Sequence, residues 1–273
     1  MSPDKTDPGY NIIFCGYDQT RGSLVEAGEF LKLTTGTLEK LIATNHPLPV
    51  ARTLTSEEAQ LVREKLTTFG VEAIVLSDEE LGVTDNSIAR VRSVIFEETA
   101  ISFRASGRPA PIRVNFADLM LMVQARLLTR ITAVKERQTR SSENEILDAS
   151  EFFADEAVYD LYCAVHSETL RISANNFDFS CLGPRKALVV SANMSTLAYT
   201  LASKAPQLEV DNSYVAVRQL LDVVWGSEKA TRSEGWRREA PGRVTVAATT
   251  TDTNEKQFTR YSRLKFHLRQ QRV

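Results

Sequence analysis

A helix with both ends marked in the sequence constrains the fold most strongly. Residues 55–58, Thr-Ser-Glu-Glu, form a capping box, in which a hydroxyl and a carboxylate three residues apart each accept an amide hydrogen left unpaired at a helix start. We therefore predict that a helix begins at Ser56, and Gly70 stands where the chain must turn left-handed to leave it. The predicted apolar stripe of this helix consists of Ala59, Val62, Leu66 and Phe69.

The segments around this helix complete a small α/β unit. Residues 10–17 (YNIIFCGY) are short, apolar and rich in β-forming side chains, as are residues 50–54 and 71–76. Two short helices are predicted between the first two strands, with apolar residues at helical spacing: Leu24, Ala27 and Leu31, then Leu38, Leu41 and Ile42. Pro47 and Pro49 end the second helix because each removes an amide donor. The predicted order is βααβαβ.

This order resembles the C-terminal domain of the bacterial ribosomal stalk protein of the seven/twelve type. The segments that carry the resemblance are LVEAGEFLKLTTGTLEKLI and PVARTLTSEEAQLVREKLTTFGVEAIVL, at residues 24–42 and 49–76. In that family the helical hairpin recruits GTPase translation factors through a basic face. The resemblance therefore implies a protein partner, with Lys32 and Lys40 as candidate partner-binding residues.

Acidic residues dilute that basic face in this chain. Glu26, Glu29 and Glu39 stand among the two lysines, a balance that suits a cationic recruiting surface poorly. Two interpretations stay open: the hairpin binds some other protein, or its charges simply solvate a surface.

A second unit is predicted after an acidic, turn-rich boundary at residues 77–89. From Arg90 the periodicity changes to two, which predicts a β-meander over residues 91–96, 101–103 and 112–114. Further strands are predicted at residues 119–123, 127–134, 158–165, 170–172 and 177–179. Residues 135–150 are polar and charged and are interpreted as a long, exposed hairpin loop. Helical spacing returns after Gly183-Pro184, in two helices that contain Val190 to Leu201 and Tyr214 to Trp225.

The phrase PIRVNFADLMLMV is similar to a pattern in bacterial pleckstrin-homology-like domains, which are bent barrels capped by a helix. The resemblance implies a scaffold that binds lipid or peptide. The basic loop that holds phosphoinositides in that family has no clear match, although Arg104, Arg108 and Arg113 flank a turn.

The predicted fold class is therefore α+β with two domains. A βααβαβ module at residues 10–78 precedes a strand-rich domain with C-terminal helices at residues 90–228, for which the second resemblance implies a bent barrel. A basic tail follows at residues 229–273. The tail holds 11 Lys and Arg against 4 Asp and Glu, whereas residues 1–228 hold 22 against 31, so the two parts carry opposite net charges.

Residues 256–273 are the candidate contact for an acidic partner. In residues 261–269 (YSRLKFHLR), apolar and basic side chains alternate, which predicts a basic amphipathic strand. The strand can dock on the chain's own sheet, or it can contact a protein, nucleic acid or anionic lipid. The candidate partner-binding residues of the tail are Arg260, Arg263, Lys265 and Arg269. The preceding residues, including Thr249 to Thr251, are predicted to be partly flexible.

No catalytic, cofactor or metal site is predicted. The three cysteines, Cys15, Cys163 and Cys181, are scattered without a CxxC pair, which favours a reducing compartment over a disulfide framework. Phosphate-binding and metalloprotease motifs are absent from the sequence. An enzyme would require one group of residues to converge in a pocket: Tyr162, His166, Asp178 and Ser180.

The sequence thus predicts a cytoplasmic, non-catalytic interaction or adaptor subunit of a larger assembly. The start, MSPDKTDPGY, is polar, and no run of about 18 apolar residues is present, so no transmembrane segment is expected. The alternative hypothesis is a membrane-surface or nucleic-acid-binding protein that acts through its basic tail.

Overall fold

Within the part of the chain that the structure describes, the fold combines a small antiparallel sheet, a large mixed sheet and six α-helices. A computed structural model describes residues 9–20, 22–83, 88–139, 144–240 and 243–271. The class is α+β, as predicted, and the large sheet is open: its outermost strands do not pair with each other within these ranges, so no closed barrel forms.

The βααβαβ order predicted for the first part of the chain is confirmed. Its elements are β1 (Tyr10–Tyr17), α1 (Leu24–Leu31), α2 (Thr35–Thr44), β2 (Leu48–Thr53), α3 (Ser56–Thr68) and β3 (Val71–Ser77). The strands are antiparallel in the order β2-β1-β3. Strand β2 begins earlier than predicted and includes Pro49.

The hydrogen bond to the hydroxyl group of the predicted capping box is present at the start of α3. The Thr55 hydroxyl accepts the backbone N–H of Glu58 at 3.2 Å, and α3 begins at Ser56. Gly70 leaves the helix with a φ of 77°, in the left-handed region that favours glycine. The strongest local signal in the sequence therefore locates this helix correctly at both ends.

The large sheet holds the remaining nine strands. They are β4 (Ile88–Phe96), β5 (Ala100–Ala105), β6 (Ile112–Asn115), β7 (Leu119–Thr139), β8 (Asn144–Cys163), β9 (Thr169–Ser173), β10 (Glu209–Asp211), β11 (Glu228–Ala240) and β12 (Arg243–Thr253). Their order is β11-β12-β7-β8-β9-β4-β5-β6, and β10 pairs with β7. The predicted meander is confirmed as β4, β5 and β6.

Three predictions in this region were wrong. Residues 119–134 form one continuous strand, and most of the predicted loop at residues 135–150 belongs to β7 and β8, which pair from Leu119 to Gln138. Residues 140–143 of that loop lie outside the described residues. Residues 177–179 form no strand; Phe179 instead starts a short 3-10 segment. Thr249 to Thr251, in the part of the tail predicted to be partly flexible, belong to β12 and are paired on both sides, while the predicted flexibility of the tail stays a prediction.

The secondary structure predicted for the C-terminal residues was also wrong. Residues 255–270 form a helix, α6 (Glu255–Gln270), rather than a basic strand at residues 261–269. Phe258, Tyr261 and Leu264 recur at helical spacing and have no exposed surface. The segment forms a helix rather than a strand because the helical conformation buries these three side chains together.

Helix α6 packs between the small sheet and one face of the large sheet. One apolar cluster joins Ile12 of β1, Val123 of β7 and Phe258 of α6. Helix α5 (Tyr214–Leu221) belongs to the same cluster through Tyr214 and Val217. The domain limits 10–78, 90–228 and 229–273 stay a prediction, while this core draws residues from all three segments.

A second apolar cluster covers the opposite face of the large sheet. It includes Phe103 of β5, Met122 of β7 and Leu161 of β8. Helix α4 (Val190–Lys204), which was predicted from its apolar spacing, contributes Met194, Leu197 and Leu201. The body of the large sheet therefore has a layer on each face.

Candidate functional site

The basic residues of α6 face acidic residues of their own chain. The Lys265 ammonium lies 2.7 Å from the Asp211 carboxylate, and the Arg269 guanidinium lies 3.0 Å from Glu209, so both pair with β10. Arg260 lies 3.7 Å from Asp78. The opposite charges of the tail and the rest of the chain therefore meet inside the molecule.

Arg263 is the most deeply placed of the candidate tail residues. It is buried, its Nη1 donates to the Ser167 carbonyl at 3.0 Å, and its guanidinium lies over the Tyr162 ring. A partner that is to bind these four cations must first displace contacts that hold α6 in the core. Their role in partner binding stays a prediction.

The two lysines of the helical hairpin are exposed. Lys32 follows α1 with a φ of 57°, and Lys40 lies on α2 beside the exposed Glu39. The structure therefore separates the predicted partner-binding residues into two groups: two lysines on the hairpin surface and four cations on a packed helix.

The four residues considered for catalysis do not converge. Tyr162 is fully buried and shares a hydrogen bond of 2.7 Å with the Ser262 hydroxyl, and burial raises its pKa. Asp178 accepts hydrogen bonds from the amide and hydroxyl of Ser180 in an exposed turn. The hydrogen bonds from Ser180 also hold the pKa of the Asp178 carboxyl below its usual value. His166 is exposed after the end of β8.

A cavity of about 370 Å³ adjoins His166. It lies between residues 80–82, the β8–β9 turn and the end of α6, and its lining includes Arg263, His267 and Cys163. Burial raises the pKa of the Cys163 thiol to about 12, which disfavours the reactive thiolate at neutral pH. Within the described ranges, no group of three or more His, Cys, Asp or Glu side chains is arranged to hold a metal ion. No helix among these residues is long and apolar enough to cross a membrane.

The feature that sequence reasoning missed is a single-layer extension of the large sheet. We define the sheet extension as residues 129–139 of β7, 144–156 of β8, 228–240 of β11 and 243–253 of β12. Alternate β7 side chains are buried up to Leu127, whereas Arg126 and Leu128 on the other face are already exposed. Beyond this point the side chains of β8 and β11 are mostly exposed, and those of β7 and β12 mostly half-buried.

One face of the sheet extension concentrates large apolar side chains. Directly opposed residues of an antiparallel sheet point to the same face. Two such rows cross all four strands: Trp236, Val246, Glu136 and Ile146, and Lys229, Asp252, Arg130 and Phe153. Both rows lie on one face because Arg130 and Glu136 are an even number of residues apart on β7. We call this the Trp236 face.

Exposure of the Trp236 face is high. The exposed fraction is 72% for Trp236, 65% for Ile146 and 65% for Phe153. The half-buried Val134 and Val246 and the exposed Leu128 lie on the same face. The opposite face carries one comparably exposed large apolar residue among those described, Phe152, at 62%. An apolar patch of this kind is typical of an interaction surface.

Charges on the Trp236 face are largely paired across strands. Arg126 contacts Asp155 at 2.8 Å, Arg130 contacts Glu151, and Lys229 lies 3.7 Å from Asp252. The Arg130 guanidinium also lies 5.5 Å from the centre of the Phe153 ring. These pairs neutralise one another, so the base of the face is suited to an apolar contact, while the exposed Arg238 adds a cation near the tip.

Both edges of the sheet extension carry features that oppose further strand pairing. The β11 register shifts at residues 233–235 and 238–240, and Gly235 has a φ of 101°. The β8 register shifts beside Ile146. Arg232, Arg237 and Arg238 add exposed charge to β11. Bulges and edge charges protect a sheet against edge-to-edge association.

The sequence does contain a signal for this surface, in the adjacent aromatic residues Phe152 and Phe153 and in Trp236 within a charged segment. Comparisons with protein-family models, with curated proteins and with solved structures found no match.

Proposed function

We propose that this protein is a non-catalytic interaction subunit that binds a folded protein partner through the Trp236 face. The observation that carries the proposal is the exposure of Trp236, Ile146 and Phe153 on one face of a single-layer sheet. A sheet is normally stabilised by a second layer that covers its apolar face. The partner supplies that layer.

The non-catalytic part of the proposal is supported by the positions of the candidate catalytic groups. Tyr162 is buried against α6, while Asp178 and Ser180 bond to each other in an exposed turn. The free thiols of Cys15, Cys163 and Cys181 favour a reducing compartment, which supports our proposal of a cytoplasmic subunit.

The charge of the face supports a protein partner over nucleic acid or anionic lipid. Those ligands are held mainly by unpaired cations, and binding to them falls steeply with salt. The cations Arg126, Arg130 and Lys229 of the Trp236 face already pair with carboxylates of their own sheet. An apolar contact is instead insensitive to moderate salt.

The experiment uses two neighbouring residues of β8 that point to opposite faces. A photoreactive amino acid is placed in the full-length protein at Phe153 or, as the matched control, at Phe152, and cells are irradiated. Phe153 and Phe152 are similarly exposed, at 65% and 62%, so other molecules can reach a photoreactive group at either position. We expect a protein adduct from position 153 and little from position 152.

Two results contradict the proposal. The first is the absence of any adduct from position 153 while a photoreactive residue at position 40, in place of the exposed Lys40 of α2, does form adducts in the same cells. The second is crosslinking to nucleic acid or lipid in place of protein, which supports the alternative hypothesis of a charge-driven contact.

A further inference from the structure

We infer that the partner of the Trp236 face is a second copy of this chain, packed face to face as a two-layer sandwich. This inference rests on the proposed function, since it names the occupant of the same surface. The area of the face, the complementarity of its two ends and the protection of its edges support it.

The area of the Trp236 face matches what a stable dimer needs. About 11 residues in each of four strands, at about 3.3 Å per residue and 4.8 Å between strands, give roughly 700 Å² per copy. Two copies therefore bury about 1,400 Å², within the range of about 1,200–2,000 Å² for specific interfaces. Sheets that pack in this way keep their strands within about 30° of each other.

The two ends of the face are complementary to each other. Trp236 protrudes near the tip, and the exposed Leu128, Arg130 and Phe153 side chains lie at the base, where they offer an apolar and cationic surface to an indole ring. The two rows that contain Trp236 and Phe153 are six residues apart along β7, or about 20 Å. A two-fold axis between antiparallel copies brings the Trp236 of each to the base of the other, so the contact is made twice. A tryptophan that becomes buried in an interface in this way is a typical hot spot.

The protected edges favour this arrangement over a continuous intermolecular sheet. Register shifts interrupt β11 at residues 233–235 and β8 beside Ile146, so neither edge offers an unbroken row of amides. Face-to-face packing needs no free edge. It also closes after two copies, because each copy uses the same surface.

The first experiment measures the mass of the purified full-length protein by analytical ultracentrifugation over a dilution series. We expect twice the mass of one chain at high concentration. Trp236→Glu and Ile146→Glu should each raise the dissociation constant on the order of 30-fold. Phe152→Glu, an equally exposed apolar-to-acidic change on the opposite face, should leave it unchanged, and circular dichroism confirms that each variant is folded.

The second experiment tests whether the association uses this face. The chain has two tryptophans, and Trp225 is 1% exposed, so a change of emission on association reports Trp236. We expect the emission maximum to move to longer wavelength as the dimer is diluted. The Trp236→Phe variant should show no such movement while still associating through its phenyl ring.

The outcomes separate this inference from the proposed function. A protein that is monomeric at every concentration overturns the second-copy inference, while a position-153 adduct with a different protein leaves the proposed function intact. A dimer whose emission does not respond to dilution, or that Phe152→Glu disrupts as strongly as Ile146→Glu, also overturns the inference. An adduct of two identical chains from position 153 supports both.

Discussion

Asp160 and Arg171 form a two-bond ion pair that has no exposed surface. They are opposed on β8 and β9, and the Arg171 Nε and Nη2 atoms donate to the two Asp160 oxygens at 2.7 and 2.8 Å. Arg171 also contacts two residues of α6, the Glu255 carboxylate at 3.1 Å and the Thr259 hydroxyl at 2.9 Å. The pair therefore fixes the C-terminal helix to the centre of the large sheet.

Removal of Arg171 should destabilise the protein strongly. Arg171→Met leaves the Asp160 carboxylate buried without its partner, and we expect a loss of about 3–5 kcal/mol in the free energy of unfolding. Urea denaturation gives this value. Arg90→Gln is the control, because Arg90 pairs with the same Glu255 from an exposed position and should cost about 1 kcal/mol or less. Equal losses for the two variants would contradict a central role for the buried pair.

Truncation after Ser227 should prevent folding of the remaining chain. It removes Phe258, Tyr261 and Leu264, which fill the core between the two sheets. The full-length chain is correspondingly expected to unfold in one transition, since Asn11 of β1 also accepts a 2.8 Å hydrogen bond from the Trp225 indole. Calorimetry and near-ultraviolet circular dichroism test this. Two separate transitions would show instead that residues 10–78 are an independent domain.

Acid should weaken the attachment of α6. Burial disfavours the charge of Asp211, but hydrogen bonds from Lys265 and Ser213 outweigh it and hold the pKa of the carboxyl below its usual value. A carboxyl with a lowered pKa stabilises the fold above its unfolded pKa of about 4 and loses this contribution as the pH falls through its folded pKa. The free energy of unfolding should therefore decline below about pH 4. Urea titrations from neutral to acidic pH measure this decline. The Asp211→Asn variant should show a smaller decline in the free energy of unfolding. An equal decline in the variant and the unmodified protein would refute the role of the Asp211–Lys265 pair.

The three thiols should react with an alkylating reagent in a fixed order. Burial raises the pKa of Cys181 to about 11 and that of Cys163 to about 12, while Cys15 is exposed and its pKa is raised by partial burial of the thiol. We expect native protein at mildly alkaline pH to be labelled first at Cys15 and last at Cys163. Peptide mass spectrometry resolves the order, and protein unfolded in guanidinium chloride should show no preference. Early labelling of Cys163 would mean that its strand opens readily.

Local signals in the sequence predict the first part of the fold well. The hydroxyl of Thr55 and the conformational freedom of Gly70 act on residues next to them, so the limits of α3 need no knowledge of the tertiary structure. Alternation also identifies β4 as a strand, but a register shift between Val91 and Ser93 interrupts it, so Val91 and Val94 both pack into the second apolar cluster while Ile95 is exposed.

The charges of α6 depend on partners that are distant in sequence. Arg260, Lys265 and Arg269 resemble an exposed basic arm until Asp78, Asp211 and Glu209 are brought beside them. Alternation in residues 261–269 predicted a strand, although Phe258, Tyr261, Leu264 and Leu268 already stand at helical spacing. A wider window that began at Phe258 would have favoured the helix.

The sheet extension was missed because a sheet without a covering layer has no buried face to impose an apolar pattern. Apart from Ile146, Leu147 and Ala149, residues 135–150 are polar or charged in sequence, so their composition resembles that of a loop. The stabilising interactions are cross-strand pairs such as Arg137 with Glu145, at 2.9 Å. Such pairs become visible only when the register of β7 and β8 is known.

The position of α6 between the two sheets has a consequence for synthesis on the ribosome. A growing chain gains β1, β3 and the long β7–β8 hairpin well before residues 255–270 emerge, yet the surfaces of these strands that contact α6 must stay uncovered until then. Native packing is thus delayed until nearly all of these 273 residues have left the exit tunnel. For most of translation the nascent chain therefore presents apolar surface of the kind that chaperones bind.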